Sequence, residues 1–148
     1  GEQAGAYLAK LKPNLHSVSP SWSTAYGLFK KKEAKIVLSY LTSPLYHKVA
    51  ENDDGFEAAV FTQGHVAHVE YAAIPAACTS CKRAEEFLEF LLQAESQTRL
   101  MELNYMLPVS LAPAAGSPFA ELAKPKILPH PAASREELLA VWKAVFSP

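Results

Sequence analysis

Four aromatic side chains suited to holding a flat ligand stand at the ends of expected elements: Trp22, Tyr40, Tyr46 and Tyr105. Tyr and Trp ring faces carry negative electrostatic potential, so several together suit a flat, cationic heterocycle, at roughly 0.5–2 kcal/mol per contact. Trp22 opens an expected helix, whose free backbone N–H groups and dipole favour an anion such as phosphate. Ser23 adds a hydroxyl donor at the same place. Tyr40 is expected at the C-terminal end of a parallel strand, the edge at which open α/β sheets bind ligands. Tyr46 comes just after the turn at Ser43 and Pro44, near enough to Tyr40 to share a wall with it. Tyr105 lies in a loop that follows a helix. Tyr26, one helical turn in and next to Gly27, reads as core.

Other residue types offer less chemistry. Cys78 and Cys81 form a Cys-Thr-Ser-Cys motif ahead of a helix. In a reducing compartment that spacing suggests thioredoxin-like chemistry, because a helix N-terminus lowers a thiol's pKa. In an oxidising compartment it suggests a disulfide across a short loop. No Trp precedes Cys78, and the rest of a redox constellation is not in the sequence. His65 and His68 fall on opposite faces of an expected strand. His68 and Glu70 share a face, which is too small a set for a metal. His65 is given a hinge or packing role. His47 and His130 flank prolines or turns and are expected to see solvent, and His16 carries no signal. Glu85, Glu86, Glu136 and Glu137 are helix-surface runs, and Asp53 with Asp54 marks a turn. With no Gly-rich phosphate loop, Gly-x-Ser-x-Gly motif or Ser/His/Asp grouping, an enzyme has little to stand on.

The elements that must position these residues follow from periodicity. Ala6 to Lys12 has helical spacing and stops before Pro13. Leu15 to Val18 is a short strand candidate. A helix opens at Ser21 or Trp22 and runs to about Lys32, with Ala25, Leu28 and Phe29 on one face. Ala34 to Tyr40 is a near-continuous apolar run, the pattern of a strand covered on both sides, and strand, helix, strand makes a parallel α/β unit. A short helix is expected from Leu45 to Ala50, then a turn at Asn52 to Gly55. Glu57 to Thr62 and His65 to Ile74 read as extended segments joined through Gln63 and Gly64. Amphipathic helices are expected from Lys82 to Ala94 and from Ser96 to Leu103. Residues 108–131, rich in Pro and Ala, read as an ordered surface crossing. Ser134 with Glu137 makes a capping box that starts a last helix through Val145.

The composition limits the classes available. A chain of 148 residues with net charge −1 and 20% charged residues gives no electrostatic case for nucleic acid or an anionic membrane. The run Lys30-Lys31-Lys32 suits a helix C-terminus, where it solvates the end and meets the dipole. No apolar run approaches the ~20 residues needed to span a bilayer. The first residues also lack the basic and apolar regions of a secretory signal.

Three groups of residues resemble a known family. They are Trp22-Ser23-x-Ala25-Tyr26-Gly27-Leu28-Phe29; Leu38-Ser39-Tyr40-x-Thr42-Ser43-Pro44-x-Tyr46-His47; and Gly64-His65 with Val69-Glu70. Together they resemble the second half of periplasmic solute-binding proteins of ABC importers, most closely the thiamine-binding branch. The resemblance implies an α/β fold, part of a two-lobed type II binding protein lacking its N-terminal half. Residues 1–42 would end the second lobe, 43–75 would cross the hinge, and 76–148 would return helices to the first lobe. It implies a receptor, not an enzyme, that captures thiamine or a thiamine phosphate and delivers it to an ABC permease transmembrane subunit. No other cofactor or metal is implied. The location would be periplasmic, or lipid-anchored outside the cytoplasm, with the signal peptide outside this chain. The ligand contacts carried over are Trp22, Ser23, Tyr40, Tyr46 and Tyr105; thiamine-binding members tend to have Trp at the last position. Ferric ion or another cationic solute is the alternative on the same fold, although ferric-ion binders use adjacent tyrosines and no Tyr-Tyr occurs here. A thiol/disulfide domain built on Cys78 and Cys81 is the alternative from another class. Without a first lobe, apolar surface would be left uncovered, so the resemblance also leads to an expectation of self-association or exchanged elements.

Overall fold

The computed structural model describes residues 2–122, 124–130 and 132–147. Its internal contacts divide the chain into two units, Gly1–Ser39 with Pro129–Pro148, and Tyr40–Leu128.

The first unit is helical. Helix α1, Glu2–Leu11, runs into a tighter turn at Lys12–Asn14 where Pro13 removes a backbone donor. Helix α2 spans Trp22–Lys30 and helix α6 spans Arg135–Phe146; α1 and α6 pack together. Lys12 Nζ donates to the Val145 carbonyl at 2.6 Å and lies 5.9 Å from the centre of the Phe146 ring. A cation is favoured at that end of α6, where unsatisfied carbonyls carry the negative pole of the dipole. The other end of α6 is closed by the expected capping box. Ser134 Oγ accepts from the Glu137 N–H at 3.2 Å, and Glu137 Oε2 accepts from the Ser134 N–H at 2.6 Å. Ser21 caps α2, its Oγ accepting from the Thr24 N–H at 3.2 Å. Within α2 the Tyr26 ring is buried between Trp22 and Phe29, as its position in the helix predicts.

Two expected strands do not form in this unit. Leu15 to Val18 lies outside any ladder, and so does the run from Ala34 to Tyr40. Ile36 and Leu38 are 87% and 91% exposed, the reverse of a strand covered on both sides. The physical reason is pairing. An apolar run becomes a strand only when a neighbouring strand takes its backbone N–H and C=O groups. No described segment does so here, and the expected strand–helix–strand unit is not built.

The second unit carries the only strand pairing among the described residues. Strand β1, His65–Val66, runs parallel to strand β2, Ile127–Leu128, with His65 opposite Ile127. Gly64 makes the approach possible: its φ is +120°, and a Cβ there would stand 2.8 Å from the Lys126 carbonyl oxygen. The remainder of the two long segments expected around Phe56 to Ile74 is irregular. Helix α3, Ser43–Tyr46, continues into a wide turn at His47–Glu51, which ends at Asn52 with φ 53°. That short helix and the turn after it match the sequence pattern. Helices α4, Cys81–Leu92, and α5, Ala94–Asn104, also form within two residues of expectation and pack together. Buried Gln97 joins them to the following loop: its Nε2 donates to the Leu91 carbonyl and its Oε1 accepts from the Val109 N–H, both at 2.8 Å. The core of the unit is Leu45, Met101 and Phe119, with Tyr105 and Leu122 packed against it. The fold is therefore helix-rich with little strand, where a fuller α/β sheet was expected.

Four outcomes follow. Met101→Ala opens a cavity in the buried cluster and should cost about 2–5 kcal/mol by denaturant melt. Leu103→Ala, on the same helix but 74% exposed, should stay within about 0.5 kcal/mol. Ser134→Ala removes a helix cap and should cost about 1 kcal/mol. The Ser134 backbone N–H, and then its hydroxyl, hold the Glu137 carboxyl below its ordinary value. A depressed carboxyl stabilises above its unfolded pKa and loses that contribution as pH falls through the folded one. The stability difference between the native chain and Glu137→Gln should thus be largest near neutral pH and shrink under acid, as read by melts across a pH series.

Candidate functional site

Each predicted ligand residue has a defined place within its own unit. In the first, Trp22 occupies the opening position of α2 and is 50% exposed. Its Nε1–H donates to Ser39 Oγ at 3.2 Å, and its ring centre lies 4.8 Å from that of Tyr26 at 31°. One indole face is therefore backed by a buried phenol, which fixes the ring while leaving half its surface to solvent. Ser23 is exposed beside it on the first turn. The Ser21 cap already satisfies the Thr24 N–H, so an anion at this terminus would meet the earlier N–H groups of the turn.

In the second unit, Tyr40 is 56% exposed and stacks with His68 at 6.3 Å and 24°. It does not end a strand, contrary to expectation, because the run before it joins no strand ladder among the described residues. Nor is its ring partner Tyr46. Tyr46, 42% exposed, meets Tyr105 edge to face at 5.4 Å and 79°. Tyr105 in turn lies 6.0 Å from Phe119 of the core. The structure therefore joins Tyr46 to Tyr105, which are far apart in sequence, through the packing of α3 and the end of α5 on one cluster. Tyr105 ends α5 with φ 53°, a left-handed conformation that costs a bulky residue energy. The core holds it there, since backbone strain of this kind persists only where surrounding packing over-determines it.

His47 was expected to see solvent and instead is fully buried. Its Nδ1 pairs with Glu51 Oε2 at 2.6 Å, and its ring stacks on Phe56 at 3.7 Å and 16°. The sequence held one signal for this, the His47/Glu51 spacing of four residues on a helical segment. The stacking partner Phe56 lies beyond the turn and is not legible from spacing. The two residues tie the wide turn to the segment that follows it. His65 is likewise engaged locally: its Nε2 accepts from the Phe61 N–H at 2.8 Å and its ring stacks on Phe61.

An open cavity of about 350 Å³ lies in the second unit against Pro44, Leu45, Phe56 and Leu122, with Glu57 and Glu121 among its polar residues. Its size falls in the range of small-molecule sites. None of the predicted ligand residues lines it. Cys78 and Cys81 are free thiols, partly exposed, at the entry to α4. Cys81 Sγ donates to the Cys78 carbonyl at 3.1 Å. No described helix is long and apolar enough to cross a membrane.

The comparisons with known proteins agree on a class. A family model described as bacterial extracellular solute-binding protein matches residues 1–127. The thiamine-binding periplasmic protein of Salmonella typhimurium is 39% identical over 153 residues, which covers 99% of this chain and 46% of that relative. The thiamine-binding periplasmic protein of Escherichia coli is 36% identical over 152 residues, with the same coverage of 99% and 46%. That of Haemophilus influenzae is 43% identical over 93 residues, or 63% of this chain and 28% of the relative. The chain spans about half the length of the first two relatives, at 46% of each. No solved structure matches it significantly. A family of solute-binding proteins is one of receptors rather than enzymes, and the thiol-oxidoreductase alternative finds no relative among these matches. With the family model covering residues 1–127, the chain belongs to the bacterial extracellular solute-binding protein family.

Proposed function

We propose that this chain is the C-terminal half of the extracytoplasmic solute-binding component of an ABC importer. Residues 1–42 end its second lobe, 43–75 cross the hinge, and 76–148 return helices to the first lobe. The receptor captures thiamine or a thiamine phosphate between two lobes in the periplasm and passes it to a transmembrane permease subunit. The observation that carries this reading is the similarity to thiamine-binding periplasmic proteins, which extends over 99% of the chain at 36–39% identity.

The chemistry of the side chains supports it. Thiamine joins a permanently cationic thiazolium to an aminopyrimidine, so both halves are flat and one is charged. Trp22, Tyr40, Tyr46 and Tyr105 supply ring faces for those two parts by stacking and cation–π attraction. The Trp22 ring is already braced by Tyr26, and the Tyr105 ring by Tyr46 and Phe119, so ordering them on binding costs little entropy. Ser23 and the first N–H groups of α2 receive a phosphate when the ligand carries one. Tyr105 offers a smaller face than Trp, which lowers affinity relative to a receptor with Trp there without changing the ligand's class.

A titration of the full-length receptor with thiamine, followed by tryptophan fluorescence, tests this. Saturable quenching is expected. Trp22→Ala should weaken binding about 10–30-fold, the equivalent of about 1.4–2 kcal/mol. Trp142→Phe, on α6, should leave affinity unchanged. Tyr105→Trp should bind at least as tightly as the native residue. Unchanged affinity in both Trp22→Ala and Tyr105→Ala would remove these residues from the site. No response to thiamine or its phosphates would reassign the solute.

A further inference from the structure

Cys78 and Cys81 have no part in the proposed ligand chemistry, yet the fold brings them together. Cys78 closes a turn, its N–H donating to the Pro75 carbonyl at 3.0 Å. Ser80 then starts α4, its carbonyl accepting from the Arg83 N–H at 3.1 Å and the Ala84 N–H at 3.2 Å. Cys81 is the first residue of the helix, and its thiol folds back over Cys78 to donate to that residue's carbonyl at 3.1 Å. A carbonyl oxygen lies roughly 2.4 Å from its own Cα, so the Cys81 sulfur stands within about 5.5 Å of Cys78 Cα. Disulfide-linked residues have Cα atoms about 4.4–6.8 Å apart, and the Cys81 sulfur, folded back past the bend at Thr79 and Ser80, already reaches Cys78 on this scale. Both side chains are partly exposed, so a soluble oxidant reaches them.

We propose that Cys78 and Cys81 are a redox-modifiable site, closing into one intramolecular disulfide under oxidising conditions and reopening with thiol reductants. The thiolate of Cys78 attacks one sulfur of a small-molecule disulfide such as oxidised glutathione. A mixed disulfide forms and one glutathione thiolate leaves. The Cys81 sulfur, having lost its proton, then attacks the Cys78 sulfur, forms the internal bond and releases the second glutathione. Two electrons pass from the cysteine pair to the oxidant's S–S bond, and the two cysteine protons end on the two released thiols.

The order of attack has a physical basis. Contact with the Cys78 side chain, followed by desolvation, raises the Cys81 thiol above its ordinary pKa. Cys81 therefore suits the second, intramolecular step, where proximity replaces nucleophile concentration. The closed loop is short and removes little entropy from the unfolded chain, so the bond is one that reductants open readily. Closing it replaces the Cys81-to-carbonyl hydrogen bond with a covalent tie and pins the start of α4.

The test is intact mass with thiol alkylation on the folded chain after exposure to oxidised glutathione. The native sequence should lose about 2 Da, the two thiol hydrogens, and resist alkylation at both cysteines until a reductant restores them. Cys81→Ser should stop at a stable glutathione adduct, because the resolving thiol is gone, whereas Cys78→Ser, which lacks the attacking thiol, should form an adduct more slowly and never close a disulfide. Three results would overturn the proposal: a persistent glutathione adduct on the native chain, two cysteines that remain open to alkylation, or disulfide-linked dimers in place of the internal bond. These readouts do not involve thiamine, so they stand apart from the fate of the receptor reading.

Discussion

The second unit depends on the burial of three residues, Leu45, Met101 and Phe119. They come from a short helix, a long helix and an irregular loop, and nothing in local propensity would hold those three segments together. Burying such side chains is worth roughly 1.5–3 kcal/mol each, enough to fix the segments but not to fill a large core. Two consequences reach the aromatic residues. Tyr46, next to Leu45, and Tyr105, four residues past Met101, are brought edge to face. Tyr105 is also held in a left-handed conformation that its own side chain disfavours. The geometry of that pair is therefore an outcome of core packing rather than of the loops in which the two residues sit.

The same dependence explains which parts were legible in the sequence. Helices α2, α4, α5 and α6 were readable because their signals are local: an apolar face at a spacing of three and four, a Ser before the first turn, a capping box at Ser134 and Glu137. The turn at Asn52 to Gly55 was readable for the same reason, and Asp53 Oδ1 does accept from the Gly55 N–H at 2.8 Å. Tyr26 was correctly read as buried from its place on the helix.

Strands were not legible, because a strand is a property of a pair. The run from Ala34 to Tyr40 has the composition of a buried strand but joins no ladder among the described residues, and Ile36 and Leu38 face solvent. The one ladder among the described residues, His65–Val66 with Ile127–Leu128, joins segments about sixty residues apart and rests on Gly64, whose missing Cβ admits the Lys126 carbonyl. His47 failed for a related reason. Its neighbours in sequence suggested an exposed turn, whereas its burial comes from stacking on Phe56 across that turn and pairing with Glu51. The resemblance, by contrast, rested on short strings of residue identities and did not need the fold, which is why family membership could be read where the sheet could not.

The proposed receptor holds a cationic ligand by aromatic faces, and the charge itself is the most direct thing to vary. Equilibrium binding to the full-length receptor would be compared for thiamine and for an analogue of the same shape in which the cationic thiazolium is replaced by a neutral five-membered ring. Cation–π attraction worth about 0.5–2 kcal/mol per ring predicts that the neutral analogue binds at least about tenfold more weakly. Equal affinity for the two would contradict the account, because stacking without charge would then suffice.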